Sequence, residues 1–168
     1  MAKTYKGQYK VKNTKKYKGN PTHVIYRSMW ERNVFKWLDE HSEVLEWNSE
    51  EVIVPYRCPT DNKIHRYFVD IYVKFKNGTT HIIEIKPHKQ TLPPTKPSKK
   101  NQKYIEEVLT YVKNQAKWEA AQEYAIKRGW MFSVWTENEM DEMGIPRMKA
   151  LPRLKRKKPA ISRKRRST

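Results

Sequence analysis

The chain has 168 residues, and its 36 lysines and arginines outnumber its 18 acidic residues to give a net charge of +18. This length favours one domain with a real hydrophobic core. No apolar run reaches the roughly 18 residues that a membrane-spanning helix needs, so no membrane partner is expected. The single cysteine, Cys58, excludes an internal disulfide and, by the same count, a cysteine-based zinc site.

The positive charge is concentrated at the two ends of the chain. Residues 1–20 hold seven lysines, residues 147–168 hold eleven lysines and arginines, and neither segment has an acid. Residues 21–146 hold 18 basic and 18 acidic residues and are neutral. The sequence therefore predicts a globular domain over 21–146 between a basic N-terminal arm, 1–20, and a basic C-terminal tail, 147–168. Such blocks bind polyanions, and nucleic acid is the expected partner; a solubilising tail is the alternative.

The first predicted element is a helix over about 28–39. Its apolar residues recur at the spacing of a buried helical stripe. They are Trp30, Val34, Trp37 and Leu38. Ser28 and Glu31 match a capping box, in which the cap hydroxyl and the glutamate satisfy free backbone N–H groups. Glu31 could cap this helix or take part in a functional site, and this segment alone favours neither role.

Strands are predicted over 51–56, 66–75 and 79–86, with alternating apolar and polar residues in the second. Four prolines between 87 and 100 predict an irregular loop. Residues 101–128 read as one long helix or two shorter ones with an apolar stripe, and 130–135 as a further strand. The order is helix, three strands, helix, strand, which predicts a mixed α/β layer fold with a small central sheet.

The turn at Asn77-Gly78 sets the register of the second and third strands. A two-residue loop would place charged residues opposite apolar ones on both faces. A three-residue loop, with Gly78 in the left-handed position, pairs Ile71 with Ile83 and Asp70 with Glu84. Register normally follows the match of apolar faces, so the longer loop is predicted.

Directly opposed residues have Cβ atoms about 5 Å apart, so Asp70 and Glu84 could share one divalent cation. Two carboxylates suit Mg²⁺, which activates water and neutralises phosphate charge. Lys86 projects from the same face as Glu84 and could orient the attacking water or stabilise the phosphate. An ordinary surface hairpin with a Glu84–Lys86 contact is the alternative interpretation.

These residues resemble a known family. Glu31 on a helix, Asp70, and Glu84-Ile85-Lys86 on sequential strands are similar to the motif of the PD-(D/E)XK nuclease superfamily, whose common core is a restriction-endonuclease-like fold. Longer strings, Tyr26-Arg27-Ser28-Met29-Trp30-Glu31-Arg32 and His65-Arg66-Tyr67-Phe68-Val69-Asp70, resemble the head completion nucleases of tailed phages, which are similar to the TnsA endonucleases. The resemblance covers about residues 5–140, and Val69 stands where the superfamily usually has proline.

The resemblance implies that Glu31, Asp70 and Glu84 bind Mg²⁺ and that Lys86 is the catalytic lysine. It also implies a polar residue on the helix after the lysine, for which Gln115 and Lys117 are both candidates. Together with the basic segments, this gives a set of candidate DNA-binding residues. They are Lys89, Lys99, Lys100, Gln115, Lys117, Arg156 and Lys157.

The sequence thus predicts a Mg²⁺-dependent DNA endonuclease or end-processing nuclease, with recognition directed to DNA structure or ends rather than to sequence. For such a family the resemblance implies action on packaged DNA before tail attachment, capsid or portal-neck partners, and a place in the virion and the host cytoplasm. Two alternatives stay open. One is a non-catalytic, DNA-binding virion protein that keeps the nuclease fold, and the other is a junction resolvase or transposase-type nuclease.

Overall fold

The computed structural model describes residues 5–146, which form eight strands and four helices. The strands are β1 (Gly7–Tyr9), β2 (Val24–Tyr26), β3 (Val44–Ser49), β4 (Ile53–Arg57), β5 (Ile64–Phe68), β6 (Ile71–Phe75), β7 (Thr80–Ile85) and β8 (Met131–Trp135). The helices are α1 (Met29–Glu40), α2 (His88–Thr91), α3 (Gln102–Ile126) and α4 (Glu137–Glu142). Among residues 5–146, no helix has both the length and the apolar composition needed to cross a bilayer.

The central sheet has the strand order β3-β6-β7-β8. Strand β6 runs antiparallel to both β3 and β7, and β8 is parallel to β7. The long helix α3 provides the crossover between the two parallel strands. Two further ribbons, β1-β2 and β4-β5, complete the mixed α/β layer fold that the sequence predicts.

The predicted register of the β6–β7 hairpin is confirmed. Ile71 pairs with Ile83, and the backbone N–H of Phe75 donates to the carbonyl of Thr79 at 2.9 Å. Gly78 adopts a φ of +89°, the left-handed conformation that the three-residue loop requires. The match of the apolar faces therefore sets the register of this hairpin, as the sequence predicts.

The single strand predicted over 66–75 is wrong, because the chain changes sheets at Val69 and Asp70. Before this point β5 pairs with β4, and after it β6 lies between β3 and β7. Because of this change, odd-numbered side chains before Asp70 and after it lie on opposite faces of the sheet. Tyr67 and Val69 pack in the core on the α3 side of the sheet, whereas Ile71 packs in the core on the α1 side.

Strand β3 is absent from the predicted elements, although it is a neighbour of β6 in the central sheet. Its pairing with β6 shifts register between Val44 and Glu46. This bulge places the buried residues Val44 and Trp47 three positions apart, which breaks the alternation by which strands are recognised in a sequence. The strand predicted over 51–56 corresponds to β4, which lies in the peripheral β4-β5 ribbon.

Two helices cover the two faces of the central sheet. Helix α1 packs Val34, Phe35 and Leu38 into a core with the fully buried Trp47. Helix α3, which is one helix and not two, packs Ala121 and Ala125 onto the other face. The N-terminal half of α3 differs, because Ile105, Leu109 and Val112 of its apolar stripe are 39–45% exposed.

The first predicted segment, 1–20, contributes three residues to the domain core. Tyr9, Val11 and Tyr17 are buried in the core on the α1 side. The hydroxyl of Tyr17 accepts from the backbone N–H of Ser49 at 3.3 Å. Tyr9 and Tyr17 therefore pack on the domain. The predicted tail, 147–168, lies outside the described residues.

Candidate functional site

Asp70 lies at the point where the chain leaves the β4-β5 ribbon and enters the central sheet. It precedes the first paired residue of β6, and continuing the β6–β7 register by one step places it opposite Glu84. Its carboxylate Oδ2 accepts a hydrogen bond from the backbone N–H of Ile85 at 2.8 Å. The Asp70 carboxylate is thereby fixed against the end of β7 that carries Glu84 and Lys86.

Glu84 is a buried carboxylate, with 4% of its surface exposed. The hydroxyl of Tyr67 donates to its Oε2 at 2.5 Å, and the ammonium of Lys86 lies 3.0 Å from its Oε1. Both oxygens are therefore oriented by the protein. Tyr67 comes from the adjacent β4-β5 ribbon, so two separate sheets define the position of this side chain.

The electrostatics of the site are those of crowded like charges. Burial, and after it the negative charge of Glu84, raises the pKa of Asp70 well above its ordinary range. Burial disfavours the ammonium of Lys86, but the carboxylates of Glu84, Asp70 and Glu31 outweigh it and raise the pKa of Lys86. The site thus holds Lys86 protonated and makes ionised Asp70 costly in the absence of a further positive charge.

Glu31 stands at the start of α1 and acts as part of its cap. Its backbone N–H donates to Ser28 Oγ at 3.1 Å, and its own Oε2 accepts from the backbone N–H of Arg27 at 2.6 Å. Burial raises the pKa of its carboxyl, and its charge acts on both Asp70 and Lys86. The predicted capping box is therefore only half formed, because the Glu31 carboxylate accepts from Arg27 and not from the backbone N–H of Ser28, and the same residue lies near the site.

Two further charged residues at the site are missing from the sequence-based set. The guanidinium of Arg27 forms an ion pair with Glu50, and the charges of Glu31 and Asp70 also act on it. Glu50 has a φ of +57°, a left-handed conformation that non-glycine residues rarely adopt and that is often found at functional sites. No short motif could reveal Glu50, because its place depends on how β3 ends beside β6.

Tyr67 was also missed. A continuous strand over 66–75 would point it away from Asp70, and only the break at Val69 and Asp70 turns its hydroxyl toward Glu84. Lys117 lies next to this tyrosine. Its ammonium is 5.5 Å from the centre of the Tyr67 ring and 5.9 Å from that of Tyr56.

The other candidate DNA-binding residues lie farther out on the surface. Lys89 is exposed on α2, Lys99 and Lys100 are exposed before α3, and Gln115 is exposed on α3. Arg156 and Lys157 lie outside the described residues. Of the two candidates on α3, Lys117 is therefore the one that the structure brings beside a residue of the site.

The donor set fits a hard divalent cation such as Mg²⁺, which takes oxygen ligands and retains several waters. A buried Glu84 beside a half-buried Asp70 with a raised pKa is stabilised by added positive charge. The acidic oxygens of Glu31, Asp70 and Glu84 do not all lie within 4.8 Å of one another. Direct ligation by one or two carboxylates, with water completing the shell, therefore matches this arrangement better than a closed cage of three.

The order of helices and strands around this mixed sheet is that of nucleases with a restriction-endonuclease-like fold. A family model described as the N-terminal domain of TnsA-like endonucleases matches residues 41–137, a range that includes Asp70, Glu84 and Lys86. The chain is also 41% identical over 145 residues to the head completion nuclease of Enterobacteria phage T4, covering 84% of this chain and 97% of that protein. The chain belongs to the TnsA-like endonuclease family and is a nuclease.

Proposed function

We propose that this protein is a phage head completion nuclease that hydrolyses phosphodiester bonds of DNA, with Mg²⁺ bound by Asp70 and Glu84 and with Lys86 as the catalytic lysine. One observation carries the proposal. A buried glutamate, an aspartate with a raised pKa and a lysine share the end of one hairpin, and burying such charges is costly unless a function uses them. The similarity to the phage T4 head completion nuclease supports the same reading.

In this proposal Asp70 and Glu84 hold the cation, and Glu31 adds negative charge at the edge of the site. Bound Mg²⁺ supplies Lewis acidity, which activates a water and neutralises charge on the phosphate. Tyr67 keeps one oxygen of Glu84 in a fixed orientation through its 2.5 Å hydrogen bond. The Ile85 backbone N–H does the same for Asp70.

Lys86 acts as a positive hydrogen-bond donor and not as a base. Its raised pKa keeps the ammonium charged throughout the physiological range. The ammonium would donate to the scissile phosphate or to the attacking water. Preorganised positive charge of this kind stabilises the transition state of phosphoryl transfer.

DNA binding is assigned to the exposed lysines around the site and to the basic ends of the chain. Lys89, Lys99 and Lys100 are exposed on the segment that follows Lys86, and Lys117 lies beside Tyr67. Contacts of lysine and arginine with phosphate release counterions, so affinity should fall steeply as salt is added and depend little on sequence. Capsid or portal-neck proteins are the proposed protein partners, and the virion is the proposed location.

The direct test is cleavage of linear, branched and circular DNA by the full chain with Mg²⁺, compared with the same reactions after chelation. The proposal expects Mg²⁺-dependent cleavage that Asp70→Ala abolishes while DNA binding persists. DNA binding without cleavage in every condition would favour a non-catalytic virion protein. Cleavage confined to branched DNA would favour a junction-resolving nuclease, and cleavage that is unchanged in Asp70→Ala would refute the assigned site.

A further inference from the structure

The tip of the β4–β5 hairpin carries a second group of metal-ligating side chains, separate from the carboxylates of the nuclease site. The turn between the strands is closed by two backbone hydrogen bonds, from the Cys58 N–H to the Lys63 carbonyl and from the Asn62 N–H to the Cys58 carbonyl, both at 2.8 Å. Asn62 has a φ of +57°, which lets the chain reverse tightly. The fold thus brings residues on both sides of the turn close together.

Three donors of different chemistry converge there. The thiol of Cys58, the carboxylate of Asp61 and the imidazole of His65 place one ligand atom each within 4.8 Å of one another. Cys58 is buried, with 2% of its surface exposed, whereas the side chains of Asp61 and His65 are 40% and 42% exposed. The group is therefore anchored on one side by the domain and open to solvent on the other.

The geometry points to a binding site for a Zn²⁺-class transition metal ion formed by Cys58 Sγ, Asp61 Oδ2 and His65 Nε2. Ligand atoms around a tetrahedral zinc lie roughly 3.3–3.8 Å apart, given bond lengths of about 2.0–2.3 Å. The His65 Nε2 to Asp61 Oδ2 distance is 2.7 Å, so the ion would replace this hydrogen bond by moving the two exposed side chains slightly apart. A solvent molecule would take the fourth position.

The choice of metal follows from the ligands. Thiolate and imidazole favour zinc and related ions, whereas the all-oxygen set at Asp70 and Glu84 favours Mg²⁺. The single cysteine led to the expectation of no cysteine-based zinc site, but a mixed set with an aspartate and a histidine needs only one thiolate. Neither site therefore competes with the other for its preferred ion.

Such an ion would tie together the two strands that hold Tyr56 and Tyr67. The His65 ring lies 5.9 Å from the ring of Tyr56 between their centroids, and Tyr67 contacts Glu84 from the same ribbon. Metal binding at the tip would thus stabilise the ribbon that orients the nuclease site, and it would bind the folded chain in preference to the unfolded one.

Co²⁺ titration of the reduced full chain, in the presence of excess Mg²⁺, tests the site without reference to cleavage. A charge-transfer band from thiolate to cobalt can arise only from Cys58, because the chain has no other cysteine. The proposal expects this band to saturate at one equivalent of Co²⁺ and to disappear when Zn²⁺ is added. Asp61→Ala and His65→Ala should each weaken Co²⁺ binding by at least about tenfold, and His23→Ala, at an exposed histidine elsewhere, should not.

Absence of the band at saturating Co²⁺ would overturn the proposal. A band that persists with unchanged affinity in both Asp61→Ala and His65→Ala would also overturn it, because the thiol would then bind the ion without the other two ligands. The proposed ligands Cys58, Asp61 and His65 lie at a hairpin tip, where substitutions should leave the fold intact. Circular dichroism of each variant checks that the chain remains folded. The outcome is independent of whether Asp70 and Glu84 catalyse cleavage.

Discussion

Two aspartates in this molecule, the buried Asp39 and the half-buried Asp70, have very different surroundings. Asp39, near the end of α1, is fully buried, and its two carboxylate oxygens accept hydrogen bonds from three donors. They are the Tyr9 hydroxyl at 3.1 Å and the backbone N–H groups of Lys12 at 2.7 Å and Asn13 at 3.0 Å. These donors belong to the N-terminal segment, so Asp39 fastens that segment to the domain.

Asp70 has a different environment, in which the carboxylates of Glu84 and Glu31 oppose its ionisation and the ammonium of Lys86 favours it. It accepts one backbone hydrogen bond and faces Glu84, with Glu31 nearby. Its pKa is raised, which means that the fold itself disfavours its ionised form. A carboxylate that is fully satisfied contributes to stability, whereas one beside other carboxylates is costly to ionise and would be stabilised by an added cation.

The largest expected effect is on cleavage, at Lys86. In Lys86→Met the side chain keeps most of its volume but loses the ammonium, so we expect the rate of DNA cleavage to fall by at least about 100-fold. DNA affinity should change little, since the basic surfaces remain. Cleavage rates under single-turnover conditions, with affinity measured separately, provide the test.

Lys74→Met is the matched control for this variant, because Lys74 lies on β6 and pairs with Thr80 at the opposite end of the same hairpin. Its cleavage rate should equal that of the unaltered protein. Equal losses in Lys74→Met and Lys86→Met would show that general positive charge, and not the position of Lys86, supports the reaction.

Substitution of Asp39 is expected to lower the stability of the protein without lowering its activity. In Asp39→Asn one oxygen becomes an NH₂ group that faces a backbone donor, so we expect about 2–3 kcal/mol of destabilisation. Urea unfolding measures this change. Glu40→Gln, which removes the exposed ion pair with Lys12, should leave stability nearly unchanged. Reduced cleavage per folded molecule in Asp39→Asn would place Asp39 among the functional residues instead.

The sequence was sufficient where one local pattern decided the structure. The β6–β7 register follows from the alternation on both strands and from Gly78, and this register places Asp70 opposite Glu84. The capping hydrogen bond from the Glu31 N–H to Ser28 follows equally from a four-residue pattern. In these cases the residues that decide the structure are neighbours in the chain or lie across one short turn.

The sequence failed where the structure depended on contacts between distant segments. Alternation runs unbroken through Val69 and Asp70, so it could not show that the chain changes sheets there. The bulge at Val44 hid β3, and without β3 the position of Glu50 could not be inferred. The contact of Tyr67 with Glu84 joins two separate sheets, and no spacing rule predicts such a contact.

A smaller effect is expected at Tyr67, where a substitution tests whether the orientation of Glu84 matters for metal binding. Removal of the hydroxyl in Tyr67→Phe leaves one Glu84 oxygen without its donor, so we expect about tenfold weaker Mg²⁺ binding, as is usual for partners that orient metal ligands. The cleavage rate at saturating Mg²⁺ should be nearly restored. Calorimetric Mg²⁺ titration measures the affinity independently of cleavage.

Tyr72→Phe is the control, since the Tyr72 hydroxyl donates to Glu46 at 2.8 Å and not to the site. Its Mg²⁺ affinity should remain that of the unaltered protein. An unchanged Mg²⁺ affinity in Tyr67→Phe would mean that Lys86 alone is sufficient to position Glu84.

The smallest expected effect is a gain in stability when Asp70 is replaced by asparagine. Its folded-state pKa is raised above the ordinary value of 3.8, so in the pH range between the two values the unfolded chain has already released a proton that the folded chain retains. Stability therefore falls as the pH rises through that range. Asp70→Asn removes this penalty and can still accept from the Ile85 N–H, so without divalent ions it should be more stable by about 1 kcal/mol near neutral pH.

Thermal unfolding of the two proteins over a pH series provides the measurement. The difference should be near zero in strong acid, where Asp70 is protonated in both states, and should grow as the pH rises. Added Mg²⁺ should then stabilise the unaltered protein and leave Asp70→Asn nearly unaffected. If Asp70→Asn is less stable at every pH, as is expected of Asp39→Asn, then Asp70 is a satisfied structural carboxylate and the contrast between the two aspartates is lost.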